Sequence, residues 1–243
     1  YDKLMSTIGA KGTNAFTWYE ETAYVNDIPS NQIEKWLTVE AERFRNPIFR
    51  IFHTELEAVY EEKNRSLDND DRKVGEITLA NLFQKHNYGQ QTTIGTIKDL
   101  KNPSLVKIRE YFHTYYVPNN MGIILSGDFD PSIIIKKIDE NFGKMQSKPV
   151  PKYTFQQETP LSAPIIKEIV GPDAENLTMG FRLPGNKDKD VLIADLVGQV
   201  LTNGKAGLLD LNLVKQQKLL SASAFTYTLI DHGVLYLAAS PTT

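Results

Sequence analysis

Residues 52–70, F-H-T-E-L-E-A-V-Y-E-E-K-N-R-S-L-D-N-D, carry a helical rather than a strand period. At about 100° per residue, Phe52, Leu56, Val59, Tyr60 and Leu67 line up as one apolar stripe. Glu57 and Glu61 fall on the opposite face, whereas Glu55 and Glu62 lie along one border of the stripe. Two acids at i and i+7 are separated by roughly 10 Å of rise, too far for both to bind one ion directly. The spacing suits one metal ligand plus one acid that shapes its neighbourhood. By pattern alone, the commoner case is a helix whose flanking glutamates snorkel at the edge of a core.

Upstream, residues 1–8 read as the end of a helix, and N-A-F-T-W (14–18) with T-A-Y-V (22–25) as a two-strand hairpin. Ser30 is the expected N-cap of a helix running to about Phe44, with Ile33, Trp36, Leu37 and Ala41 on its inner face. Downstream, a helix is expected over 72–86, with Val74, Ile77, Leu82 and Phe83 inward. A polar, glycine-punctuated loop follows, and then a helix over 103–116 opened by Asn102-Pro103. M-G-I-I-L-S-G-D (121–128) reads as a buried strand, and Asp130-Pro131 opens a helix closed by Gly143. Pro149, Pro151, Pro160 and Pro164 mark a linker. After it come expected strands at 165–170 and 176–183, helices at 188–202 and 206–217, and strands at 222–229 and 233–239.

These elements predict an α+β fold in which a mixed or antiparallel sheet is covered by helices on one face. The expected domains are 1–145, a truncated first α+β domain, and 165–243, the first part of a second, homologous one. Residues 146–164 are the proline-containing linker between them.

The 243 residues are 41% hydrophobic and 23% charged, an ordinary globular composition. A net charge of -3 argues against a nucleic-acid surface or a polybasic membrane anchor. No apolar run approaches the roughly 20 residues of a transmembrane helix. Without cysteine, disulfides, thiolate zinc sites and cysteine nucleophiles are excluded, and the compartment stays open. The chain starts at Tyr1 inside a helical pattern and stops at Thr243 after a strand-like run, so a fragment or processed piece is expected.

Chemistry-bearing patterns are sparse. The histidines His53, His86, His113 and His232 form neither H-E-x-x-H nor H-x-x-E-H. His53 and Glu57, at i and i+4, read as a solvated pair. His113 sits in an aromatic run, and His86 is expected at a helix C-terminus, where a cation suits the dipole. No G-x-S-x-G elbow is present. L-T-N-G-K-A-G-L-L (201–209) has a P-loop flavour but the wrong spacing, and reads as a turn between helices in which Gly204 and Gly207 allow close backbone approach.

Several stretches together resemble the pitrilysin/insulinase family of zinc metallopeptidases, the inverzincins, which includes mitochondrial processing peptidase. G-T-N-A-F-T-W-Y-E-E-T-A-Y is similar to the family's G-x-x-N-A-x-T…T-x-Y hairpin, and E-L-E-A-V-Y-E-E to its E-x-x-x-V-x-x-E helix. Y-G-Q-Q-T-T-I-G-T-I-K-D-L and Y-Y-V-P-N-N-M-G-I-I-L-S-G-D-F-D resemble the loop and strand that follow. V-L-T-N-G-K-A-G-L-L…V-K-Q-Q-K-L-L-S-A-S-A-F resembles the opening of the second domain. The matches run in order from Gly12 to the end of the chain.

The resemblance implies that Glu62 is the third zinc ligand and Glu55 an accessory catalytic acid that does not touch the metal. It places Asn14, Ala15 and Phe16 on the strand along which a peptide substrate pairs. The family's H-x-x-E-H, which supplies two ligands and the general base, would precede Tyr1. Zinc is therefore expected in the parent enzyme and not in this fragment, which by itself is expected to be inactive. A non-catalytic paralogue serving as a scaffolding or peptide-binding subunit is the alternative. The implied partners are a peptide or small protein substrate and the remaining half of the peptidase, on the same chain or a partner subunit. No nucleic acid and no membrane span are expected, and a periplasmic or exported setting follows if the source has a Gram-negative envelope.

Overall fold

The computed structural model describes residues 1–49 and 52–242. They fall into two compact units, residues 1–61 with 95–154, and residues 62–94 with 155–243. The change-over at 154/155 lies inside the stretch expected as a linker. Nothing in the sequence signals that residues 62–94 group with the C-terminal part.

The first unit opens with α1 (Asp2–Thr7), followed by β1 (Lys11–Thr17) and β2 (Thr22–Asp27) as an antiparallel hairpin. A 3-10 turn over Ser30–Gln32 leads into α2 (Ile33–Arg45). Ser30 therefore does not cap the helix as expected: the tighter turn moves the cap position to Gln32, which makes no side-chain cap bond. Next is α3 (Phe52–Ser66), which crosses from the first unit to the second at Glu61/Glu62.

α3 is shorter and less buried than its sequence suggests. It ends at Ser66 because Asn69 starts a new helix, its Oδ1 accepting the Arg72 N–H at 2.7 Å. The apolar stripe is half-buried at best: Val59 is 37% exposed, and Leu67, 39% exposed, lies beyond the helix end. The buried residue of α3 is instead Lys63, whose Nζ lies 3.5 Å from Glu76 Oε1.

Glu76 belongs to α4 (Asp70–Leu82) of the second unit, followed by the single turn α5 (Asn87–Gln90). Back in the first unit, α6 (Ile97–Lys101) is closed at its start by a Thr96–Asp99 capping box. α7 (Leu105–Tyr115) begins at Ser104, whose side chain accepts the Lys107 N–H, and not at Asn102. α8 (Pro131–Phe142) is capped by Asp130 as expected, its carboxylate accepting the Ser132 N–H at 2.8 Å. The core of the first unit is Ile33 and Leu37 of α2 against Ile134 of α8, with Trp36, Leu125, Phe129, Ile138 and Phe142 packed around them.

Two expected strands are not formed. Residues 121–128 and 165–170 have no ladder partner among the described residues, and Ile124 and Ile166 are 93% and 89% exposed. A strand exists only through a neighbour that takes its main-chain groups, so apolar character alone does not make one.

The second unit carries β3 (Leu177–Pro184), α9 (Lys189–Leu201), a π-helical turn over Asp210–Val214, β4 (Leu219–Thr228) and β5 (His232–Pro241). The π-helical turn replaces most of the α-helix expected at 206–217. The sheet is antiparallel with order β3-β5-β4, so β5 is central and its Val234 is 1% exposed. Gly198 of α9 faces β4, where an added Cβ would find ordinary contact 3.5 Å from Ala224 O. The architecture is mixed α+β, small antiparallel sheets flanked by helices.

Leu37 is fully buried between α2 and α8. Leu37→Ala should destabilise the chain by about 2–5 kcal/mol, read as a lower urea midpoint, and the loss should appear in the first unit.

Candidate functional site

β1 pairs only with β2 among the described residues, with Asn14 opposite Val25, Ala15 opposite Tyr24 and Phe16 opposite Ala23. The hairpin closes with the Trp18 N–H donating to Glu21 O at 2.8 Å. Counting back from that bond, Phe16 and Asn14 direct their main-chain groups toward β2, while those of Ala15 and Thr17 face the open edge. The edge is not bare. The Ala15 N–H donates to the Asn14 side-chain oxygen at 2.9 Å, so a peptide strand entering there must displace that carboxamide. Phe16 and Trp18, each 48% exposed, stand on the hairpin, and Tyr24 is held to Tyr116 by a hydroxyl–hydroxyl bond of 2.8 Å.

Glu55 and Glu62 are both exposed on α3, and neither makes an ion pair or side-chain hydrogen bond among the described residues. Glu62 sits next to the buried Lys63, so the Lys63–Glu76 ion pair fixes which way that turn of helix faces. Among the described residues no three His, Cys, Asp or Glu side chains gather as a metal site. His53 and His113 are exposed. One carboxylate is not a zinc shell, which takes three or four protein donors. The residues present do not by themselves fit the metal.

His86 differs from its sequence reading. α4 stops at Leu82, so His86 does not end that helix but caps the start of α5. It is fully buried, its Nδ1 accepting the Tyr88 N–H at 3.1 Å and its Nε2 lying 3.3 Å from Asp231 Oδ2. His232, Phe83 and Phe155 surround it, with His86–His232 and His86–Phe155 ring centroids 5.0 and 4.4 Å apart. Sequence reasoning missed this cluster, because no local pattern links residues 86, 155 and 232.

The 201–209 loop is a turn with its own internal anion. Asp210 Oδ2 accepts the Asn203 N–H at 2.9 Å and the Gly207 N–H at 3.1 Å. The Asn203 N–H is the first cause holding the Asp210 carboxyl below the usual carboxylate range; Gly207, Gly204 and Lys205 amides add to it against the opposing effect of burial. A carboxylate thus occupies the amide nest that a P-loop offers to phosphate. Gly204 has φ +76°, and a Cβ on Gly207 would meet Leu201 O at 2.5 Å, so both glycines are required by the turn.

With this geometry in view, the comparisons with known proteins agree. A family profile described as "Peptidase M16 inactive domain" matches residues 104–243, more than half of the chain. The chain belongs to the M16 family, the pitrilysin-type zinc peptidases. It is 25% identical over 237 residues to the zinc protease PqqE of Helicobacter pylori, covering 94% of this chain and 52% of that protein. It is 30% identical over 147 residues to the uncharacterized zinc protease YmfH of Bacillus subtilis, covering 60% and 32%.

A protease structure from Helicobacter pylori superimposes with a TM-score of 0.78 at 24% identity, over 99% of this chain and 59% of that one. Pitrilysin does so with a TM-score of 0.76 at 19% identity, over 99% and 27%. The chain spans about half the length of PqqE and about a third of YmfH. No helix among the described residues is long and apolar enough to cross a membrane.

Asp210 has its carboxyl lowered in the fold, so its contribution to stability is present above about pH 4 and is lost as pH falls through the folded value. Asp210→Asn should flatten the acid-induced fall of the urea midpoint and speed amide exchange at Asn203 and Gly207.

Proposed function

We propose that these residues are part of a zinc-dependent metalloendopeptidase in which Glu62 is a metal ligand. Residues 1–145 stand for most of its first domain and 165–243 for the start of the second. The two histidines and the base that complete the site come from outside this stretch. The observation that carries the reading is Glu62 itself: an exposed carboxylate without an ion pair among the described residues, on a helix whose facing is set by the buried Lys63–Glu76 pair. Membership in a peptidase family supports it.

Glu55, seven residues before Glu62 and also exposed, acts as an accessory acid, not a ligand. The open edge of β1 supports the second half of the reading. Ala15 and Thr17 offer main-chain groups to an extended peptide, with Asn14 and Phe16 on the same strand. The substrate class is therefore a peptide or a small protein with an extended segment. The missing half of the enzyme is either further sequence on the same chain or a partner subunit. A second reading is favoured by the description of the matched profile as an inactive domain: a non-catalytic paralogue that scaffolds or holds peptide. An intact H-x-x-E-H before Tyr1 distinguishes the peptidase from the scaffold.

Two outcomes test this. Residues 1–243 alone should neither hydrolyse peptides nor retain zinc through gel filtration, and zinc-dependent cleavage by this chain would overturn the assignment. In the full-length parent, Glu62→Gln should abolish stoichiometric zinc, while Glu55→Gln should weaken it by about tenfold, the size of an outer-partner effect. Equal losses would mean that the two roles are wrongly divided.

A further inference from the structure

The second unit contains a pair of imidazoles that the peptidase reading does not use. We propose that His86 and His232 form an acid-operated latch: the two rings fasten residues 155–159 to the corner between α4 and α5 and to β5, and a proton on His232 releases that strap.

The strap has no regular secondary structure and is held by side chains. Glu158 Oε1 accepts the Lys85 and His86 main-chain N–H groups at 2.7 and 2.8 Å. Arg182 of β3 donates to Thr159 O at 3.0 Å and to Leu82 O, and its guanidinium lies 3.9 Å from Glu158 Oε2. Lys85 Nζ reaches Gln157 O at 3.2 Å. Phe155 closes the strap against both imidazoles, 4.4 Å from His86 and 5.4 Å from His232 between ring centroids. The latch and the strap therefore share residues: the amide that Glu158 binds belongs to the residue whose ring Phe155 covers.

The two rings are held by different contacts. His86 Nδ1 accepts a hydrogen bond from the Tyr88 amide, so a proton added there would face that N–H and remove the bond. The tautomer left to His86 carries its proton on Nε2, which can donate to Asp231 Oδ2. His232 stacks on Phe83 with centroids 5.1 Å apart and planes 24° from parallel. Its Nε2 is buried with no hydrogen-bond partner among the described residues. An imidazolium there would bring a second donor in among aromatic rings beside another imidazole.

The charges around His232 come from every element packed on it. Burial holds its pKa below the ordinary value, with His86 the next cause and Arg182 adding to it; Asp231, in the turn before β5, and Glu158, on the strap, oppose them. The sign follows. With the folded value below the unfolded one, the contribution of His232 is complete above about pH 6.5 and is lost as pH falls through the folded value. Acid therefore loosens the latch, and alkali does not.

The test uses the 243-residue chain. Imidazole proton resonances are followed by NMR from pH 8 to 5, folded and in urea. Amide exchange at Lys85 and His86 is measured at pH 7.5 and 5.0 and corrected for the intrinsic pH dependence. The expected results are that His232 titrates lower in the folded chain than in the unfolded one, and that the two amides open on the order of tenfold more often at pH 5.0. His232→Phe keeps a ring on Phe83 but takes no proton, and should abolish most of that acid response.

Identical titration of His232 in folded and unfolded chains would overturn the proposal. So would an acid response unchanged in His232→Phe. If that variant does not fold, His232→Gln serves instead, since its carboxamide takes no proton. An undiminished acid response in His232→Gln would be equally decisive against the latch.

Discussion

The second unit depends on one buried carboxylate. The Glu158 side chain is 4% exposed and stands among two main-chain N–H groups and the guanidinium of Arg182. A carboxylate removed from water costs several kcal/mol unless hydrogen bonds replace its hydration. Here two amides in the corner between α4 and α5 do so. That exchange ties an irregular segment to the corner, and Arg182 carries the tie on to β3. Asp70 repeats the device, accepting Lys73 Nζ at 2.9 Å and the Asp173 N–H at 3.1 Å. Residues 155–176, without helix or β-ladder until β3, are thus held by charged side chains of α4 and β3, in place of secondary structure of their own.

The first unit is organised differently. Its core is apolar, α2 on α8, and its charged residues work at the margin. Arg43 lies over the rings of Tyr1, Tyr24 and Phe44 at 4.2, 4.6 and 4.9 Å from their centroids and pairs with the buried Glu40 at 3.3 Å. Tyr24 is a β2 residue, so this cation–aromatic stack anchors a hairpin that a two-stranded sheet alone would leave marginal. Phe112 stacks on Tyr116 at 4.3 Å, so the aromatic run around His113 serves packing, with His113 itself turned to solvent.

Family membership and local chemistry answer different questions. The M16 relationship rests on the order of many weak motifs along the chain and on a fold shared at low identity. The metal chemistry would rest on a handful of atoms. Of those, the proposed reading draws on one carboxylate, Glu62, exposed on α3. The glycine loop shows the same separation: its P-loop flavour comes with the wrong spacing, and in the turn an internal aspartate fills the amide nest.

Elements whose signals are local were legible in the sequence. The hairpin read at 14–25 forms over 11–27, α8 follows from Asp130-Pro131, and α9, β3, β4 and β5 lie near their expected limits. Caps were less secure, because Ser30 and Asn102 compete with neighbours a few residues away and the backbone decides between them. Residues 121–128 and 165–170 look like strands in the sequence and are not paired, since a ladder needs a second strand that no local pattern supplies. The stripe on α3 likewise specifies a helix but not what covers it. Only the tertiary structure brought His86 to His232 and Glu158 to Arg182. Hydrophobic period and capping act over a few residues, whereas burial of a charge or an imidazole depends on partners tens to more than a hundred positions away.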